Sequence, residues 1–273
     1  MNRVVVGFDF SSGSAYAVDL AIDIANRWQS DIRLVYVKEK NEDEGPIRSE
    51  IEQRNAAVAP LLHGIKLEYV LREGDPAKEL TAQAEADDAA LLIVGTHGMS
   101  GQKTNMLGRN SYKTIELSPV PVLIVREDFN FNKQLEKIVL PIDSSEDTRQ
   151  KASKAAVFAK TFGSTIHLLG LYTSSMSDVR RIVDGYLNMV SRYFDKTGVK
   201  YIVERRDVEK NVTQTTLEYA NSVQADMIAI MTEQEKNLTS LLLGTYAQQM
   251  INQSNIPVLS VRPTKVMTDN ANY

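Results

Sequence analysis

Short apolar runs alternate along the chain with stretches in which apolar residues recur every three or four positions. In the first half, the runs predict five strands and the stretches between them predict four helices. The predicted strands lie near residues 4–8, 32–37, 66–71, 91–94 and 122–125. The predicted helices lie near residues 14–29, 47–63, 76–86 and 111–117. Because strands that are apolar throughout alternate with helices, they predict a parallel sheet covered on both faces.

The second half of the chain repeats the first in two blocks without gaps. The aligned pairs are residues 4–37 with 138–171 and residues 91–126 with 227–262. The first block places Asp9 opposite Asp143, and the second places Gly108 opposite Gly244. Two blocks in the same order indicate a tandem duplication of one folding unit.

The duplication predicts two α/β domains in tandem. The first covers residues 1–127 and the second residues 134–265, with a polar linker between them. The order of strands and helices makes each a doubly wound, five-stranded, Rossmann-like domain. The ligand crevice of such a sheet lies beyond the carboxyl ends of the strands, where the strand order reverses. Asp9, after the first strand, and Gly95, after the fourth, therefore mark the predicted site.

Composition narrows the classes of function. The chain has 273 residues, a formal net charge of -4 and no cysteine, which excludes thiol catalysis and gives no overall attraction to nucleic acid. His63, His97 and His167 lack the spacing of a zinc site, so no metal site is predicted. No apolar run approaches ~18 residues, and the first strand-like segment begins at Arg3. We therefore expect a cytoplasmic protein with no signal peptide, no membrane segment and no nucleic-acid partner.

Residues 95–111, GTHGMSGQKTNMLGRNS, follow the predicted fourth strand and are rich in glycine. Glycine lets a backbone approach phosphate closely, and the helix that follows adds the positive end of its dipole. A Walker A loop is excluded because Gln102 separates the preceding glycine from the lysine. A Gly-x-Gly-x-x-Gly dinucleotide pattern is absent as well. The pattern that remains is Gly95-x-x-Gly98, nine residues, and then Gly108.

This glycine pattern, with an early strand that ends in aspartate and a later Pro-Val-Leu-Ile-Val run, resembles the universal stress protein family. The resemblance covers nearly the whole chain, once in each half, as in the tandem two-domain members. It implies the adenine nucleotide alpha hydrolase-like fold and an ATP site, with or without Mg²⁺, across the ends of strands one and four. Asp9 and the backbone of Val37 would hold the adenosine end. Gly95, Gly98 and Gly108 would hold the ribose and the phosphates.

The first domain departs from the family pattern at Arg109, because the family places a serine or threonine directly after the last glycine. Arg109 can either contact a phosphate or point to solvent. Ser111, two residues further, can donate to a phosphate. Asp9 also fits a structural role, as a cap of the loop or of the following helix.

The second domain departs further. Met231 and Gln234 stand at the positions of the first two glycines, so side chains occupy both places where the backbone would approach a ligand. Gly244, Thr245 and Asp143 are retained. We expect the second domain to keep the fold and to bind ATP weakly or not at all.

No pair of carboxylates, nucleophile with a base, or metal cluster is evident, so the sequence favours a binding protein over an enzyme. The resemblance implies a stress-response protein in which ATP or a related adenine nucleotide is a regulatory ligand of the first domain. Two alternatives stay open, a nucleotide-independent protein interaction module and a slow ATPase. The sequence names no protein partner.

The last strand of each half, in PVPVLIVR and IPVLSVR, is an apolar edge that would promote aggregation if it were left unpaired. Domains of the resembled family pair through these strands. We therefore expect the two domains to form an intramolecular pseudo-dimer with approximate twofold symmetry. Whether two chains then form a homodimer stays open.

Overall fold

The computed structural model describes residues 3–96, 108–126, 134–232 and 244–263. In domain 1 the strands are β1 (Val4–Gly7), β2 (Ile32–Lys38), β3 (Leu67–Glu73), β4 (Leu91–Gly95) and β5 (Val122–Val125). The helices are α1 (Ser12–Trp28), α2 (Glu44–Val58), α3 (Pro76–Ala86) and α4 (Arg109–Leu117). The strand order is β3-β2-β1-β4-β5, with parallel neighbours throughout. The predicted doubly wound sheet is confirmed, and its order reverses between β1 and β4.

Domain 2 has the same arrangement. Its strands are β6 (Lys137–Ile142), β7 (Thr165–Tyr172), β8 (Lys200–Asp207), β9 (Met227–Met231) and β10 (Val258–Val261). Its helices are α5 (Lys151–Phe162), α6 (Ser177–Thr197), α7 (Val212–Ser222) and α8 (Thr245–Gln253). The strand order is β10-β9-β6-β7-β8, again with parallel neighbours. A short 3-10 helix, Glu146–Arg149, precedes α5.

Local sequence explains most helix boundaries. Ser11 caps α1, because its Oγ accepts a hydrogen bond from the Ser14 backbone N–H at 3.1 Å. The second helix begins earlier than the pattern predicted, since the Asp43 side chain caps it and it starts at Glu44. It also ends earlier, at Val58, where a 3-10 helix that contains proline follows.

The two domains join through their last strands. β5 and β10 pair antiparallel, with Leu123 opposite Leu259, and produce one ten-stranded sheet. Arg126 donates to the Asn252 carbonyl at 3.3 Å, and Arg262 donates to the Leu117 carbonyl at 3.4 Å from the other side. This near-symmetric arrangement confirms the intramolecular pseudo-dimer.

Helices cover both faces of the sheet, and the apolar core on each face draws residues from both domains. On one face, the rings of Trp28 and Phe158 lie 5.2 Å apart between α1 and α5. Within the described ranges, none of the helices is long and apolar enough to span a membrane.

Candidate functional site

Several predicted site residues meet at the carboxyl end of β4. The Gly108 N–H donates to the Thr96 carbonyl at 2.8 Å, which holds the start of α4 against the end of the strand. The Ser111 hydroxyl donates to the Gly95 carbonyl at 2.6 Å. Gly95, Gly108 and Ser111 therefore lie together, and their contact with a ligand stays a prediction. Gly98 lies outside the described residues.

Gly95 also contacts the first turn of α1. A Cβ atom at this position would lie 2.8 Å from the Gly13 carbonyl carbon and 3.0 Å from its oxygen. Both atoms belong to backbone, so no side-chain rotation could relieve the overlap. Packing between β4 and α1 thus requires a glycine at position 95 whether or not a ligand binds.

Gly108 packs against neighbouring backbone as closely as Gly95 does. A Cβ atom there would lie 2.9 Å from the Thr96 carbonyl oxygen, the same atom that accepts the Gly108 N–H. Gly108 has φ -59° and ψ 145°, a conformation open to any residue. Space, rather than backbone torsion, is therefore what selects glycine at this position.

Among the residues that the structure describes, no side chain caps the start of α4, and the first turn of the helix contains no acidic residue. Its first intrahelical bond runs from the Tyr112 N–H to the Gly108 carbonyl. The backbone N–H groups of Arg109, Asn110 and Ser111 have no hydrogen bond to the described part of the chain. Unsatisfied N–H groups and the positive end of the helix dipole favour an anion here.

Arg109 is the first residue of α4, and its side chain is exposed. It forms no ion pair with a residue that the structure describes. It therefore adds an exposed positive charge beside the three N–H groups.

Asp9 follows β1 and forms a tight turn. Its Oδ1 accepts hydrogen bonds from the Ser11 N–H at 3.1 Å and the Ser11 hydroxyl at 2.5 Å. In domain 2 the same turn recurs, with Ser145 donating to Oδ1 of Asp143 at 2.9 and 2.5 Å. The structural role anticipated for Asp9 is therefore present in both domains. Both bonds go to Oδ1, which leaves Oδ2 for another donor.

Val37 lies near the end of β2, beyond the last residue of β1. In a parallel strand the N–H and C=O of one residue point to the same neighbouring strand. The Val35 carbonyl accepts from the Phe8 N–H at 3.0 Å, so Val35 points toward β1. Val37 has the same orientation, and its backbone faces the space beyond the end of β1.

Aromatic side chains surround this part of the site. The Phe10 ring lies 4.9 Å from the Phe8 ring and 5.1 Å from the Tyr36 ring. Phe10 has φ 61°, which is a costly conformation for a residue that is not glycine. Burial, together with the hydrogen bond to Glu42, raises the pKa of Tyr36 to about 12, so its ring stays neutral.

Sequence reasoning missed two residues of this site. Nothing in the sequence marked Phe10, because no sequence pattern predicts a left-handed backbone conformation at a phenylalanine. Gly13 lies in the SSGS segment, where the serines indicated only a helix cap. A glycine just inside a helix start was the available sign of close backbone approach.

The matching place in domain 2 differs. Met231, at the position of Gly95, is only 6% exposed. The 3-10 helix Glu146–Arg149 replaces the first turn of α1, and it contacts β9. Lys151 is buried, and its Nζ donates to the Thr148 hydroxyl at 3.0 Å. Buried side chains thus occupy positions that hold glycine or alanine in domain 1. Gln234 lies outside the described residues.

Comparison with known proteins gives a consistent result. The model of the universal stress protein family matches residues 1–126 and 134–262. The universal stress protein YxiE of Bacillus subtilis is 33% identical over 148 residues, which cover 46% of this chain and 99% of that protein.

Solved structures show the same fold. The crystal structure of a universal stress protein from Archaeoglobus fulgidus superposes with a TM-score of 0.74 at 19% identity. The match covers 96% of this chain and 98% of that one. Another similar structure is a universal stress protein in complex with cAMP, which covers 45% of this chain and 96% of its own at 25% identity and a TM-score of 0.39. Because the family model matches residues 1–126 and 134–262, the chain belongs to the universal stress protein family and carries two of its domains in tandem.

Proposed function

We propose that domain 1 binds ATP or a related adenine nucleotide, with or without Mg²⁺, as the regulatory ligand of a cytoplasmic stress-response protein. The observation that carries the proposal is the start of α4 beside Gly95 and Gly108, where three N–H groups have no partner among the residues that the structure describes. The absence of cysteine agrees with a reducing compartment.

The phosphates would lie against the first turn of α4. The N–H groups of Arg109, Asn110 and Ser111 would donate to phosphate oxygens, and the Arg109 guanidinium would add a charge-assisted bond. The Ser111 hydroxyl proton is engaged by the Gly95 carbonyl, so the contribution of Ser111 comes from its backbone. Gly98, the remaining glycine of the pattern, is a further proposed contact of the ribose and the phosphates.

The adenosine end would lie between β1 and β2. Oδ2 of Asp9 can accept a hydrogen bond, and the Val37 backbone faces the same space. The Phe10 ring, which is only partly buried, offers an apolar surface for the base.

We propose that domain 2 binds nucleotide weakly or not at all. Met231 fills the position at which a backbone would approach phosphate, and the Lys151 amino group is held inside the domain by Thr148. One nucleotide per chain is the expected stoichiometry.

Isothermal titration with ATP, ADP and cAMP tests these proposals. Arg109→Glu places a negative charge beside the phosphates and should weaken ATP binding at least ~10-fold, because like charges at an interface cost at least ~1.4 kcal/mol. Arg109 is exposed, so the variant should remain folded. Lys154→Glu, an exposed charge reversal on α5, is the matched control and should bind ATP as the parent does.

Equal binding by parent and Arg109→Glu would overturn the proposed phosphate position. Two tight sites per chain would overturn the proposal for domain 2. Phosphate release during the same incubations would distinguish a slow ATPase from a protein that only binds nucleotide.

A nucleotide-independent interaction module is the second candidate function. It is favoured by the packing of Gly95 on Gly13 and by the Asp143 turn of domain 2, which account for a glycine and an aspartate without a ligand. No heat of binding with any nucleotide, and no nucleotide released on denaturation in mass spectrometry, would support this candidate.

A further inference from the structure

Domain 1 contains a closed network of charges at the amino ends of its strands, opposite the proposed nucleotide site. Arg3 lies 3.0 Å from Glu68 and 3.2 Å from Asp87. Arg33 lies 3.1 Å from Glu68 and 3.2 Å from Asp87. Each guanidinium therefore contacts both carboxylates, and the two pairs of charges compensate each other.

Domain 2 has a lysine and a histidine at the positions of the two arginines, and it has no carboxylate at the positions of Glu68 and Asp87. The Asp226 carboxylate accepts the Lys137 backbone N–H at 2.8 Å. Lys137 and His167 stand at the positions of the two arginines, because β6 and β7 repeat the register of β1 and β2. Ile202 stands at the position of Glu68, since each is the β-strand partner of the second basic residue.

Val223 stands at the position of Asp87. Each residue follows the last turn of its helix, with φ -83° and ψ 0° at Asp87 and φ -95° and ψ -1° at Val223. The backbone is therefore retained while the carboxylate is missing.

An open cavity of about 710 Å³ lies beside the domain 2 counterparts of Arg3, Arg33 and Glu68, and Val223 is not part of its lining. Lys137, His167 and Ile202 line it, and Arg27 of domain 1 contributes a second positive charge. Glu136 is the acidic residue of the lining and is exposed. The ring of Phe162, beneath the Arg27 guanidinium at 4.6 Å, adds apolar surface.

The basic groups retain donors for a ligand. Nζ of Lys137 donates to the Val223 carbonyl at 2.8 Å, and an ammonium carries two more N–H groups. Within the described ranges, Lys137 forms no ion pair. His167 is 7% exposed, and its Nδ1 lies 2.9 Å from the Tyr219 hydroxyl. With Nδ1 as the acceptor of the tyrosine proton, Nε2 carries the remaining ring N–H.

We propose that this cavity binds a small organic dicarboxylate, whose two carboxylates supply the negative charge that Glu68 and Asp87 supply in domain 1. Lys137, Arg27 and the His167 ring bind the carboxylates, and Ile202 contacts the carbon chain. The site lies at the opposite end of the strands from the nucleotide site, and apart from Arg27 its lining belongs to domain 2.

Isothermal titration and thermal unfolding with succinate and glutarate, at constant ionic strength, test the proposal. Acetate and inorganic phosphate are the ligand controls, and the titrations are repeated with Arg109→Glu protein so that the phosphate position proposed for domain 1 does not contribute. We expect one dicarboxylate per chain, with acetate and phosphate at least ~10-fold weaker, since a second carboxylate adds a second set of charge-assisted bonds.

The double variant Ile202→Glu/Val223→Asp rebuilds the acidic half of the network inside domain 2. Its own carboxylates compete with the ligand, so dicarboxylate binding should weaken at least ~10-fold. Leu61→Asp/Ile182→Glu adds the same charge at exposed apolar positions and should bind as the parent does. Lys137→Gln, which removes a positive charge that would bind the ligand, is a second variant and should also weaken dicarboxylate binding.

Three results would overturn the proposal. One is an equal response to all four anions at constant ionic strength, which would indicate general screening. Another is tighter binding of phosphate than of the dicarboxylates. The third is unchanged binding in folded Ile202→Glu/Val223→Asp or Lys137→Gln protein. The same variants are also titrated with ATP. They should bind ATP as the parent does, so failure of the dicarboxylate proposal and failure of the nucleotide proposal can be told apart.

Discussion

Replacement of Gly95 by alanine tests whether packing, apart from any ligand, requires glycine at the end of β4. The new Cβ would lie 2.8 Å from the carbonyl carbon of Gly13, inside van der Waals contact, and the obstacle is backbone. Either α1 must move away from β4 or the strand end must shift. Because α1 carries many fully buried core residues, neither movement is free of cost.

Overpacking of a close-packed interior costs typically ~1–3 kcal/mol. A change of that size lowers the melting temperature by about 2–4 °C for each kcal/mol in a protein of this size. We therefore expect Gly95→Ala to be less stable than the parent in the absence of nucleotide. Denaturant unfolding followed by circular dichroism and by the fluorescence of the single tryptophan measures the difference.

Gly185→Ala is the matched control. Gly185 is exposed in the middle of α6, and a Cβ there has no atom within 4 Å. Alanine at this position should stabilise the protein by roughly 0.5–1 kcal/mol, since glycine loses more backbone entropy in a helix. A Gly95→Ala protein as stable as the parent would refute the packing argument. If Gly95→Ala is destabilised as expected, a loss of ATP binding in this variant would reflect the changed packing of α1 on β4 as well as any lost contact with the ligand.

Three further predictions concern stability. Ser11→Ala removes the cap of α1 and should destabilise the protein by ~1 kcal/mol in denaturant unfolding. Trp28→Phe removes a hydrogen bond between the domains, in which Nε1 donates to the Thr161 hydroxyl at 2.9 Å. It should lower the free energy of unfolding by ~1–2 kcal/mol, and an unchanged unfolding midpoint would contradict this. Burial, with a smaller effect of the nearby lysine, lowers the pKa of His167 below its ordinary value of 6.5, so the unfolded chain binds its proton more readily. Stability from neutral His167 is fully present above pH 6.5 and is lost as the pH falls from there through the lower pKa of the folded protein, so His167→Phe should reduce the fall in unfolding free energy between pH 7 and 5.

The strand and helix pattern was predictable because the relevant information is local. The apolar runs of domain 1 became the five strands, and Ser11 capped the first helix as the sequence allowed. The second helix was placed less well, since a capping aspartate outside the apolar pattern moved its start to Glu44. The repeat also predicted that the last strands of the two domains would pair, because two apolar edges need a partner.

The candidate site was predicted only in part. The glycine spacing marked Gly95 and Gly108 as ligand contacts, and the structure places both near the start of α4. It gave no sign that Gly95 packs on Gly13 or that the hydroxyl of Ser111 is engaged by a carbonyl. Those contacts depend on the angle at which α1 crosses β4, and helix crossing angles are set by packing rather than by local sequence.

The sequence by itself determined the duplication, the order of strands and helices, and the family, because periodicity and glycine spacing are properties of the chain read in order. Only the tertiary structure decided which distant residues share one place. Arg3, Arg33, Glu68 and Asp87 come from four separate segments, and the strand register brings them into one network. The loss of its acidic half in domain 2 therefore becomes visible only in the folded protein, where charges far apart in sequence lie within 4 Å of one another.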